Sequence, residues 1–144
     1  MKKFLIGFIS FFILISSTNA LEVNSQRAVL YNLNDNTIVY EKNKDEITSI
    51  ASLTKIMTTL VAIENIKELD NNVTITNDML KGLKEANASV AGLKLNQKVT
   101  YRDLLYGTFL ASGADAARGL ALSISGSEDK FVELMNKKAK DLGL

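Results

Sequence analysis

The chain has 144 residues, with 17 Lys and Arg against 16 Asp and Glu, and no His, Cys, Pro or Trp. Without histidine there is no Ser-His-Asp or Cys-His catalysis; without cysteine there is no thiolate nucleophile, disulfide or lipoprotein lipobox, and a zinc site would have to be all carboxylate. A net charge of +1 gives no bias towards nucleic acid or anionic membranes, and 47% hydrophobic with 23% charged residues describes a packed domain rather than a disordered chain.

Met1-Lys2-Lys3 is a positive start, Phe4 to Ile15 is an apolar run broken only by Gly7 and Ser10, and Ser16 to Ala20 ends in small residues. That is the form of a secretory signal peptide over residues 1–20, cut after Ala20. The other reading, an uncleaved anchor, needs about twenty apolar residues to span a bilayer, and this run is shorter. Without Lys2 and Lys3 the remaining residues 21–144 carry one acid more than they carry bases, and their length supports one domain. An exported, cysteine-free chain fits a bacterial envelope, either the periplasm or the outer face of the cytoplasmic membrane.

Ala28-Val29-Leu30-Tyr31 and Thr37-Ile38-Val39-Tyr40 are β-branched and aromatic runs. The Asn/Asp-rich segment between them tolerates left-handed backbone, so the pair predicts a β-hairpin. From Ser52 to Ile66, Leu53, Ile56, Met57, Leu60 and Ile63 recur at helical spacing, and Lys55 is the only charge before Glu64; this predicts a helix that is mostly buried. Asp70 to Gly92 is polar and irregular, with a short strand at Val73–Ile75 and a helical turn near Asp78 to Leu83. Three further helices follow over Tyr101–Leu110, Asp115–Ser123 and Glu128–Leu142, punctuated by Gly113 and Gly126. Ser125-Gly126-Ser127-Glu128 has the Ser-x-x-Glu form of a capping box. Two strands, then a helix, then a helical stretch predict a mixed fold with a helical lobe.

Ser52-Leu53-Thr54-Lys55 is a Ser-x-x-Lys, and residues three apart share one face of a helix. A serine needs a base to become a nucleophile, and here only Lys, Tyr or a carboxylate is available. A lysine serves when its ammonium form is disfavoured, and Lys55 has the setting for that: the first turn of an apolar helix, the positive end of the helix dipole, and no carboxylate among Ala51, Ser52, Thr58 and Thr59. The spacing alone also admits an N-cap at Ser52 with Lys55 snorkelling outwards. A second match, Ser127-Glu128-Asp129-Lys130, encloses two acids and reads as a solvated helix cap.

The wording around these residues carries more. Ala51-Ser52-Leu53-Thr54-Lys55-Ile56-Met57-Thr58, Gly92-Leu93-Lys94-Leu95, Val99 to Gly107, Ser112-Gly113-Ala114-Asp115-Ala116-Ala117, and Phe131 to Ala139 with Leu142-Gly143 closely resemble the serine-type D-alanyl-D-alanine carboxypeptidases, the low-molecular-mass penicillin-binding proteins. The resemblance runs in order over nearly all of residues 21–144. It implies an α+β, penicillin-binding and β-lactamase-like fold, an antiparallel sheet flanked by helices with a helical lobe, of which these residues are the amino-terminal part. It also implies that Ser52 is the nucleophile, Lys55 the general base and Ser112 a proton relay; by cap preferences alone Ser112 reads as a helix cap.

The implied substrates are peptidoglycan stem peptides ending in D-Ala-D-Ala, with β-lactams as covalent inhibitors and membrane association through a carboxy-terminal segment. No metal or organic cofactor is implied, because side chains carry the acyl transfer. Three positions depart from the family: Ala114 replaces the Asn that closes the second motif, Ile50 stands for proline and Asn96 for glycine. The third motif, Lys-Thr-Gly, would lie downstream of Leu144, so residues 21–144 alone are expected to be inactive. Ala114 and the missing third motif keep open a penicillin- or muropeptide-binding protein without turnover, and a serine β-lactamase would share the fold. The continuous match favours the carboxypeptidase.

Overall fold

A computed structural model describes residues 23–144, so the signal-peptide segment lies outside the described residues. The chain divides into two compact units, Met1–Thr48 and Ser49–Leu144.

In the first unit, β1 (Ala28–Asn32) and β2 (Thr37–Lys42) pair antiparallel, with a register shift between Leu30 and Tyr31 that leaves Val39 without an opposite residue. The expected hairpin is present. Its loop is held by side chains: Asn32 Oδ1 accepts from Asn34 N at 3.0 Å, and Asp35 Oδ1 accepts from Thr37 N at 3.2 Å and from the Thr37 hydroxyl at 2.7 Å. Asn36 takes φ +55°, the left-handed backbone its residue type tolerates. Arg27 and Glu46 form an ion pair.

The second unit begins with a 3-10 turn, Ala51–Leu53, running into α1 (Thr54–Asn65). Next come β3 (Asn72–Thr74), the short α2 (Asn77–Leu80), β4 (Lys98–Thr100), α3 (Tyr101–Leu110), α4 (Ala114–Ser125) and α5 (Glu128–Asp141). Strands β3 and β4 form a separate antiparallel pair with Val73 opposite Val99, and Ile75 and Gln97 extend it by a 2.9 Å backbone bond. Helix α1 packs on α3, α4 and α5, and α3 packs on α4. Val61, Ile75, Leu104, Leu120 and Phe131 fill the core between them. The close approach of α3 and α4 depends on small residues: a Cβ on Gly107 would lie 3.0 Å from Ala116 Cβ and 3.1 Å from Ala91 Cβ.

Two expectations are corrected. The Ser52 helix is not buried on nearly every side: Thr58, Val61 and Ala62 are inside, whereas Leu53, Ile56 and Ile63 are more than half exposed. Its three helical neighbours meet it along the Thr58–Val61–Ala62 side, so apolar composition overstated its cover. The cap of α5 is Ser127, which accepts from Lys130 N at 3.2 Å; Ser125 does not form the expected box but donates to Ala121 O at 2.7 Å and Ser127 O at 2.8 Å from the last turn of α4. The capping box lies instead at Thr100 and Asp103, where each side chain accepts from the other's backbone N–H. Those bonds, from the Thr100 N–H and hydroxyl, hold the Asp103 carboxyl below the usual range for aspartate.

Candidate active site

Ser52 sits in the 3-10 turn that enters α1, and Lys55 is the second residue of α1 itself. The turn is entered through Ala51 at φ +46°, a left-handed conformation that costs a residue with a Cβ about 1–2 kcal/mol. Ser112 lies between α3 and α4 and is left-handed as well, at φ +52°. Strained backbone of this kind persists only where surrounding structure over-determines it, and it concentrates at functional sites.

The two segments meet. Ser112 Oγ donates to Ser52 Oγ at 2.9 Å, and both residues line a cleft of about 450 Å³ with Lys55, Ile56, Thr108 and Phe109. No carboxylate lines it. Neither serine makes a side-chain cap bond: the residue preceding α1 is Leu53 and the N-cap of α4 is Gly113, both without one. The capping alternatives for Ser52 and Ser112 therefore lose their support, whereas Ser127 is a cap, as its acidic surroundings indicate. Among the described residues, Lys55 forms no ion pair and the Ser52 backbone N–H has no backbone partner.

Ala114, the first residue of α4, lines an adjoining pocket of about 290 Å³ on the other side of Lys55, with Thr58, Arg118 and Phe131. Its methyl adds no hydrogen bond there, and its N–H is taken by Ser89 O at 2.8 Å. Two buried residues, Thr108 in the cleft and Asp115 behind it in α4, escaped the reading of the sequence. Thr108 is fully buried at the cleft with an unpartnered hydroxyl. Asp115, 1% exposed, accepts four backbone N–H bonds: from Ala91 at 2.7 Å, Gly92 at 3.0 Å, and Leu93 and Ala116 at 2.9 Å. The signal for Asp115 was a single acid inside the run Ala114–Ala117, which an exposed helix start explains equally well.

A serine hydroxyl paired with a second serine, a lysine one turn along and a free N–H are the parts of a serine acyl-transfer site without histidine. The comparisons with known proteins give the family. The D-alanyl-D-alanine carboxypeptidase family profile matches residues 15–144, and the chain belongs to that family. It is 39% identical over 131 residues to D-alanyl-D-alanine carboxypeptidase DacF of Bacillus subtilis (strain 168), covering 88% of this chain and 33% of the relative. It is 35% identical over 134 residues to D-alanyl-D-alanine carboxypeptidase DacC of Escherichia coli (strain K12), covering 89% and 34%. Among solved structures, a mutant of the Streptomyces K15 DD-transpeptidase superposes with a TM-score of 0.81 at 35% identity, over 85% of this chain and 50% of that one. Penicillin binding protein 5 from Haemophilus influenzae gives 0.79 at 35% identity, over 85% and 37%. The chain thus has the α+β penicillin-binding fold and spans about a third of the length of the curated relatives it matches.

Proposed function

We propose that the protein carrying these residues is a serine-type D-Ala-D-Ala carboxypeptidase, with Ser52 as nucleophile, Lys55 as general base and Ser112 as proton relay. The observation that carries this reading is the 2.9 Å bond between Ser112 and Ser52 in a cleft shared with Lys55. In acylation, Ser52 Oγ bonds to the carbonyl carbon between the two terminal D-alanines and gives its proton to Lys55. The carbon–nitrogen bond then breaks as Ser112 passes its proton to the departing amine and takes the one held by Lys55, which leaves Lys55 neutral again. Water then adds to the acyl carbon as Lys55 takes its proton, the bond from that carbon to Ser52 Oγ breaks, and Lys55 returns the proton to Ser52. The substrate is a peptidoglycan stem peptide, and β-lactams acylate the same serine.

Residues 1–20 act as a cleaved export signal and residues 21–144 form the amino-terminal part of the catalytic domain, placing the protein in the bacterial envelope. Residues 21–144 by themselves do not turn over substrate. The Ser52 N–H is one oxyanion donor where two are needed, and losing one typically costs about 10²–10³ in rate. The test is labelling of the full-length protein with a fluorescent penicillin, followed by peptide mapping. Label on Ser52, lost in Ser52→Ala, is the expected result; label elsewhere, or label retained in Ser52→Ala, overturns the assignment.

A further inference from the structure

The left-handed backbone at Ser112 needs something to hold it, and the buried charge nearest in sequence is Asp115, which takes no part in the acyl transfer above. Its carboxylate does not face the cleft chemistry. It closes on the segment Ala91–Leu93 by three backbone N–H bonds of 2.7–3.0 Å and on Ala116 by a fourth. The same two segments are tied again by Ala114 N to Ser89 O at 2.8 Å. Gly113, directly after Ser112, is locked into this seam: its N–H donates to Gly107 O at 3.0 Å. A Cβ on it would stand 2.8 Å from Ala91 N, Asp115 Oδ1 and Gly107 O alike.

We infer that Asp115 is a positioning residue for the reaction: by clasping Ala91–Leu93 around Gly113 it fixes the Ser112 backbone so that its hydroxyl reaches Ser52. The inference rests on the roles proposed for Ser52 and Ser112. The physical case is the donor count. A carboxylate offers about four lone-pair sites, and here four N–H groups occupy them. An asparagine of the same shape turns an NH2 group towards some of those N–H donors, so the clasp opens while the volume stays the same. Ser112 is then free to leave its left-handed conformation, and the bond to Ser52 goes with it.

The experiment compares the wild type and Asp115→Asn of the full-length protein, reacted with a fluorescent penicillin at a temperature where thermal melts show both fully folded. The expected result is a rate constant at saturating penicillin lowered at least tenfold, with the half-saturating concentration changed less than threefold. A purely structural role would lower the melting temperature and leave that rate constant alone, and a folded Asp115→Asn acylating at the wild-type rate overturns the inference. For the case where Asp115→Asn does not fold, hydrogen exchange of the wild type supplies the second measurement. The amides of Ala91, Gly92 and Leu93 should exchange as slowly as those of the first turn of α4, and loop amides that exchange freely beside a protected helix overturn it. A wild type that takes no label at Ser52 overturns the catalytic reading together with this inference, whereas a labelled wild type and an equally reactive variant overturn this inference alone.

Discussion

Ser112 Oγ and Ser52 Oγ stand 2.9 Å apart although sixty residues separate them in the chain. Ser112 can therefore be probed independently of its backbone. Ser112→Gly keeps the left-handed conformation without cost but deletes the hydroxyl, so folding stability should be unchanged or higher by up to about 1 kcal/mol. Penicillin acylation should fall by roughly 10²-fold, the lower end of what a positioned proton-transfer group contributes. Undiminished acylation in Ser112→Gly, measured by gel fluorescence time courses, would remove the relay role.

Lys55→Arg keeps a positive charge in the same cleft but supplies a group that does not deprotonate in proteins. Acylation of Ser52 in this variant should be barely detectable while circular dichroism stays native. Near-normal labelling would show that Lys55 acts as a fixed charge rather than as a base.

Thr108 is buried with its hydroxyl unpaired, a state that costs about 1–3 kcal/mol. Thr108→Val preserves the shape and removes the orphan. Urea denaturation should show a gain of about 1 kcal/mol. A loss of stability would mean that the hydroxyl has a partner in solution.

The pairs Thr100–Asp103 and Asp70–Arg102 predict how α3 responds to acid. Thr100 backbone and side-chain bonds lower the Asp103 pKa, and the bonded Arg102 guanidinium lowers that of Asp70. A carboxyl that holds its proton less readily folded than unfolded adds stability that is complete above the usual carboxylate range and is lost as pH falls through its folded pKa. Asp103→Asn should therefore melt below the wild type at neutral pH, with the gap narrowing as pH falls below the usual carboxylate range. A gap that is constant with pH would assign the effect to packing.

Elements with a long, repeated pattern were legible in the sequence. Tyr101–Leu110 is bounded as expected, and Glu128–Asp141 differs by a single residue at its end. Strand β4 was not, since Lys98–Thr100 is too short to show a period and exists through its pairing with Asn72–Thr74. The site divides in the same way. Ser52 and Lys55 lie on one turn, so spacing exposed them, whereas Ser112 entered only through family resemblance. Asp115 was missed because its partners, Ala91 to Leu93, are backbone amides, and a backbone amide leaves no mark in a residue pattern.

The distance along the chain between the two serines has a temporal meaning. Ser112 reaches Ser52 only where α3 and α4 are packed on α1, so this hydroxyl pair is absent from the unfolded chain and is a product of long-range packing. A chain that is still collapsing lacks this serine pair, which arrives together with the native shape. If Ser52 is the nucleophile proposed above, covalent capture by a penicillin would work as a clock for folding, each labelled molecule marking a chain whose helices have already docked.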